Sequence, residues 1–347
     1  MAHAAALQKA SYDLGMNAAG LNAAGLNAAG LVELMRQGDT RALARAISLV
    51  EDQAPCSTEI LSACFPFYGS AQRVGITGSP GAGKSTLADG LARRYRAQEK
   101  TVGVLAVDPT SPYTGGALLG DRIRLGGHAS DPGFYMRSMA TRGALGGLAP
   151  ASADVALVLE ASGKQRLLIE TVGVGQDEVD VVRMADITIV VLVPGMGDDV
   201  QSLKAGIMEV ADIFVVNKSD REGAERVENE VRGMQSLATH RETWIPPIIR
   251  TVATTGAGMQ ELEEAVDAFW SWLAEDGKLT ARRAAQWQTR VMEMMRHQLL
   301  RVIRQHGLSE HELSAIGHQV ALNKQDPYAL VERMVEQLLQ GAKHGTN

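Results

Sequence analysis

Residues Gly78-Ser79-Pro80-Gly81-Ala82-Gly83-Lys84-Ser85 fit the spacing G-x-x-x-x-G-K-[ST]. That spacing suits phosphate. The glycines let a loop turn its backbone N–H groups toward phosphate oxygens, and a helix opening behind the loop adds its positive end. Lys84 brings a point charge to the outer phosphates. Ser85, followed by Thr86, brings a hydroxyl suited to Mg²⁺. A second string, Asn217-Lys218-Ser219-Asp220, closes an apolar run. A carboxylate there can accept hydrogen bonds from the N1–H and 2-amino groups of guanine. Adenine would leave it unpaired, so the string selects guanine. The alternative for Asp220 is a cap on the following helix. Ala253 and Thr254 follow the last apolar run and resemble a loop backing the base. Three acids complete the set: Asp108, Asp121 and Glu170. Singly, each reads more readily as a helix cap or a solvated acid than as a metal ligand. Beside a phosphate loop, they suit Mg²⁺ and its waters. The implied cofactors are GTP or GDP with Mg²⁺.

These groups must be held by a scaffold. Short β-branched runs at residues 74–77, 102–107, 167–171, 187–193, 213–217 and 248–252 read as strands buried on both faces. Helical segments intervene, among them residues 85–96, 177–184, 200–210 and 259–273. Alternation of this kind predicts an α/β fold with a mostly parallel sheet and helices on both faces. In a parallel sheet the phosphate loop and the other strand-end motifs emerge at one edge.

The flanks differ. Residues 1–30 carry a five-residue Gly-Leu-Asn-Ala-Ala repeat, which advances a helix by about 140° beyond one turn and builds no single apolar face. Its composition predicts a mobile, low-complexity segment. Residues 31–68 read as an N-terminal helical segment of two short helices broken near Gly38. The nucleotide domain is expected over residues 69–276. From 277 to 347 the glycine and strand signals vanish, and Val291, Met294, Met295, Leu299, Val302 and Ile303 form an apolar stripe. Ser309 and Glu312 resemble a capping box, and Pro327 opens a final helix. Such a tail must bury its stripe on the sheet domain or on a second copy.

Composition narrows the partners. Net charge is −6 and aromatics are 4% of the 347 residues, which argues against a nucleic-acid surface. No stretch of about 18 apolar residues occurs, so no membrane partner is expected. The start lacks the pattern of a secretory or mitochondrial leader, which makes the cytoplasm the expected location. Cys56 and Cys64 read as ordinary reduced thiols. The eight histidines are scattered, unlike the clustered ligands of a nickel-delivery GTPase.

The strings GITGSPGAGKSTL, VLAVDPTSPYTGGALLGDRIRL, LLIETVGVGQDEVDV and LVPGMGDDVQSLKAGIMEVADIFVVNKSD resemble the MeaB/ArgK family of P-loop GTPases. The likeness spans roughly residues 35–340. It implies a P-loop NTPase fold with a C-terminal helical dimerisation arm. It also implies a homodimer acting as a chaperone for an adenosylcobalamin-dependent acyl-CoA mutase, chiefly methylmalonyl-CoA mutase. Lys84 and Ser85 match the phosphate-loop pair, and Asp108, Asp121 and Glu170 match the family's acids around Mg²⁺. Lys84, Asp121 and Glu170 are the expected catalytic residues. Residues 113–121 and 170–176 correspond to two switches, and residues 193–204 to a third that reports nucleotide state to the mutase. Gln176, Asp198, Gln201 and Lys204 are the expected coupling residues. An older label in the family, a kinase acting on a small molecule or transport protein, is the alternative. The GLNAA repeat lies outside the family pattern.

One departure concerns mechanism. Signalling GTPases place a water-positioning Gln directly after the glycine of D-x-x-G. Here Glu170 stands for the Asp and Val174 follows Gly173, while Gln176 comes two residues later. Valine cannot orient water, which predicts slow hydrolysis that a partner accelerates.

Overall fold

The computed structural model describes residues 27–108, 128, 130–140, 150–171, 183–195, 210–237, 244–305 and 310–344. The chain divides into two compact units, Met1–Thr280 and Ala281–Asn347.

Seven strands build the first unit: β1 (Gln72–Gly78), β2 (Val102–Asp108), β3 (Phe134–Ala140), β4 (Arg166–Thr171), β5 (Ile187–Leu192), β6 (Ile213–Asn217) and β7 (Ile248–Thr251). They lie in the order β3-β2-β4-β1-β5-β6-β7, and every neighbouring pair is parallel. The six strands read from the sequence are all present. The seventh, β3, escaped that reading. Its run FYMRSMA mixes Arg137 and Ser138 with apolar residues and is mostly half-buried, because it pairs on one side only. An edge strand lacks the unbroken apolar signal of a central one.

Each sheet face carries helices. Before β1 come α1 (Ala28–Arg36), α2 (Thr40–Glu51) and α3 (Ser57–Cys64). The sequence implied two helices here, and the structure has three. Asn27 caps α1 through Gly30 N–H, and Asp39 caps α2 through the N–H groups of Arg41 and Ala42. These caps satisfy donors that would otherwise need water. Leu43, Ile47 and Val50 of α2 pack with Val155 and Leu159 of α5 (Pro150–Ala161) and with Leu105, Leu167 and Ile169 of the sheet. On the opposite face lie α4 (Lys84–Ala97) and α7 (Met259–Ala274). Leu87, Leu91 and Tyr95 of α4 meet Val74, Ile76, Val104 and Leu168 there. Helix α6 (Ala224–Leu237) covers β6 through Val227 and Val231.

A buried ion pair ties β1 to α5. Arg73 donates to Glu160, whose other oxygen accepts from Ala71 N–H at 2.8 Å. Asp186 accepts from Arg73 N–H at 3.1 Å. These partners offset the cost of burying the charges. Cys56 and Cys64 are buried and unlinked, and burial pushes the Cys64 thiol up to about 12. A thiol so protonated is a poor nucleophile.

The second unit is helical. It comprises the greater part of α8 (Lys278–Gln305), α9 (Glu310–Ala321) and α10 (Pro327–His344). Val291, Met295, Leu299 and Val302 all stand exposed along one stripe of α8. Among the described residues, exposed large apolar side chains lie from Val291 onward, apart from Phe65 and Ile245. Ser309 of the expected capping box lies outside the described residues. No described helix is long and apolar enough to cross a membrane.

Candidate nucleotide site

Strand order places the candidate groups. β1 runs between β4 and β5; the connection leaving β1 leads to the β2 side of the sheet and the one leaving its neighbour β5 leads to the β6 side. In open parallel sheets ligands collect at the carboxyl edge of such a strand. β1 leads there directly into the loop Ser79–Gly83 and then α4.

The loop's glycines have steric reasons. Gly78 has φ +136°, and a Cβ there would lie 2.2 Å from the Val191 carbonyl oxygen of β5. Gly83 has φ +90°, and its Cβ would lie 2.4 Å from Asn217 Nδ2. Gly78→Ala is expected to destabilise the fold by roughly 1–3 kcal/mol, read from denaturant unfolding. Gly83 is the N-cap of α4 and supplies no side-chain cap, unlike Asn27 and Asp39. The first N–H groups of α4 are therefore left for an anion.

Lys84 is buried, and its ammonium donates to the carbonyls of Gly78 at 2.7 Å and Ser79 at 2.9 Å. The cation thus lies folded along the loop that would wrap a phosphate. Ser85 donates from Oγ to Glu170 Oε1 at 2.5 Å, across 85 residues of sequence. Glu170 is the penultimate residue of β4 and only 7% exposed. Hydroxyl and carboxylate oxygens side by side are the hard donors that Mg²⁺ prefers, so the residues present fit that ion. Asp108 ends β2, one step beyond Val107, which pairs with Thr171. Its backbone therefore reaches the same edge of the sheet as Glu170. Thr86 lies half-buried in the first turn of α4.

The second motif does more than its sequence suggests. Asn217 Nδ2 donates to the Ala82 carbonyl at 2.8 Å, and Lys218 Nζ donates to the Gly81 carbonyl at 2.7 Å. Asn217 Oδ1 accepts from Thr251 Oγ1 at 3.0 Å and from Ala253 N–H at 3.2 Å. One asparagine therefore ties the phosphate loop to the turn after β7. Sequence reasoning assigned Asn217 and Lys218 to the nucleotide and missed this bracing, because loop and motif are about 135 residues apart. Ser219 N–H donates to the Thr251 carbonyl at 3.0 Å, which fixes the turn carrying Asp220. Asp220 and Thr254 are exposed on adjacent turns at this edge.

Asp121, Gln176, Asp198, Gln201 and Lys204 lie outside the described residues, as do the greater part of the expected helices at 177–184 and 200–210. Among the described residues no three His, Cys, Asp or Glu side chains gather as a metal cluster.

A parallel α/β sheet, an uncapped helix behind a glycine loop, and the Asn217-Lys218-Ser219-Asp220 string braced onto that loop are the parts of a P-loop GTPase. The chain belongs to the MeaB family: the model described as methylmalonyl-CoA mutase-associated GTPase MeaB matches residues 43–307. A protein of Pyrococcus horikoshii is 46% identical over 316 residues, covering 89% of this chain and 98% of its own. GTPase ArgK of Escherichia coli is 37% identical over 264 residues, covering 74% of this chain and 80% of its own. The crystal structure of a LAO/AO transport system kinase superposes with a TM-score of 0.68 at 26% identity, covering 90% of this chain and 97% of that one.

Proposed function

We propose that this GTPase is a chaperone for an adenosylcobalamin-dependent acyl-CoA mutase, with methylmalonyl-CoA mutase as the first candidate, and that nucleotide-dependent loops gate cofactor loading. The observation that carries the reading is the match to a family described as mutase-associated over residues 43–307.

The loop residues Gly78, Ser79, Gly81, Ala82 and Gly83 offer the phosphates their N–H groups, and Pro80, which has none, shapes the turn between them. Lys84 places its ammonium against the outer phosphate oxygens, where charge develops during hydrolysis. Ser85 and Glu170, with Asp108 and Asp121, would hold Mg²⁺, which when bound neutralises charge on the β- and γ-phosphate oxygens. Asp220 reads guanine, and the turn at Ala253 and Thr254 backs the base. Val174 supplies no water-orienting group, so hydrolysis is slow until the partner reorders residues 170–176. Residues 193–204, with Asp198, Gln201 and Lys204, carry nucleotide state to the client. The exposed stripe of α8 supports a homodimer through the C-terminal helices, because apolar side chains of that size are otherwise kept from water. We place the protein in the cytoplasm.

GTP turnover is expected to rise roughly tenfold or more when the purified mutase is added, because a partner can order catalytic groups that the free GTPase leaves out of place. Phosphate release with and without the mutase is the measurement. Equal rates count against the chaperone reading. Phosphate appearing on an acceptor molecule instead of free in solution would favour the kinase alternative.

A further inference from the structure

The parallel ladder between β1 and β4 pairs Gln72↔Arg166 through Ile76↔Glu170 and stops there. Beyond that step each strand continues with its other neighbour. Thr77 and Gly78 pair with Val190 and Val191 of β5, while Thr171 pairs with Val107 of β2. β1 and β4 therefore part at the level where the phosphate loop begins. One bond bridges the opening: Thr171 donates from Oγ1 to Thr77 Oγ1 at 3.1 Å. Both side chains are buried, Thr77 at 0% and Thr171 at 1% exposure.

Alternation along the strands places this bond. Val74, Ile76 and Leu168 face α4 and α7, whereas Leu167 and Ile169 face the N-terminal helices and α5. Residues 77 and 171 fall on the N-terminal side, and Glu170 falls on the α4 side, where it meets Ser85. Thr77 adjoins Gly78, whose carbonyl holds Lys84, and Thr171 adjoins Glu170. The hydroxyl pair thus clasps, from behind, the two strand ends whose front carries the Ser85–Glu170 contact.

We propose that Thr77 and Thr171 are positioning residues for GTP hydrolysis: their hydroxyl bond sets the width of the β1–β4 opening and with it the spacing of Ser85 and Glu170. The inference rests on the reading of Ser85 and Glu170 as the Mg²⁺ site. A hydroxyl pair has no other evident reason to lie here. Two valines would fill the same space, and a buried polar pair brings geometric restraint rather than much net stability.

The test is the full-length double variant Thr77→Val/Thr171→Val. Replacing both partners with groups of the same shape leaves no orphaned hydroxyl, so its unfolding midpoint is expected to match the wild type. Its kcat for GTP is expected to fall about tenfold, since small misplacements around a reacting group are costly. Its Mg²⁺ half-saturation is expected to rise, while GDP affinity in the presence of EDTA stays constant. Thr171→Ser, which keeps the hydroxyl, is expected at wild-type turnover. A double valine variant with wild-type kcat and Mg²⁺ dependence overturns the proposal. So does a serine variant as slow as the double valine, because bulk rather than the hydroxyl bond would then be what matters. Glu170→Gln separates the two layers. If its Mg²⁺ dependence is unchanged, the metal-site reading itself is wrong. If Glu170→Gln shifts that dependence and the double valine does not, only the threonine proposal falls.

Discussion

GTP turnover by the Lys84→Ala variant is expected to fall by about two to three orders of magnitude, the usual loss when a preorganised charge at a reacting oxygen is deleted. Geometry supports a large effect. The Lys84 side chain is only 5% exposed and lies against the carbonyls of Gly78 and Ser79, so its charge is already inside the loop. Water cannot replace the ammonium at such a buried position. The fold itself should survive, because Leu87, Leu91 and Tyr95 anchor α4 independently of Lys84. Single-turnover hydrolysis and an unfolding midpoint measured on one preparation separate the two effects. A variant that folds and hydrolyses GTP within threefold of the wild type would remove Lys84 from the chemistry.

The second large effect concerns the base. Asp220→Asn is expected to weaken GDP binding by about two orders of magnitude and to gain affinity for xanthosine diphosphate. In the proposed reading the carboxylate would accept from both N1–H and the 2-amino group of guanine. An amide presents one acceptor and one donor. Xanthine keeps N1–H but carries a carbonyl at position 2, which matches the amide. Neither Asn217 nor Lys218 is altered, so the bracing of Ala82 and Gly81 stays in place. The turn itself is held by the backbone bond from Ser219 to Thr251 rather than by the Asp220 side chain. Titration with fluorescent GDP and xanthosine diphosphate reads the outcome. Unchanged guanine preference would leave Asp220 as a helix cap or a solvated acid, the bland alternative for such a string.

Lys84 and Asp220 differ in how they became readable. The phosphate loop is legible locally: glycine, lysine and serine at fixed spacing mark it within eight residues, although it is the distant Val191 and Asn217 that crowd Gly78 and Gly83. The central strands were equally legible, because β1, β5 and β6 are buried on both faces and need apolar side chains throughout. Strand β3 was not, since an edge position tolerates Arg137 and Ser138. Its Arg137 instead pairs with Glu51 of α2, a contact to which nothing in the local sequence points. The third N-terminal helix, α3, was missed because it is short and has no capping side chain at Cys56.

By itself, then, the sequence determined the local chemistry of this protein: the phosphate loop, the guanine string, the alternating strands and helices, and the family to which they belong. Each of these is set by residues a few positions apart, whose backbone preferences and burial patterns act without regard to the rest of the chain. Only the tertiary structure decided which distant groups meet. Ser85 reaches Glu170, Asn217 braces Ala82, and Thr171 clasps Thr77 because β4 and β5 flank β1 and because the registers align their ends. Strand order and register depend on how all seven strands and their helices share two sheet faces. That is a global packing problem, and no window of sequence contains its answer.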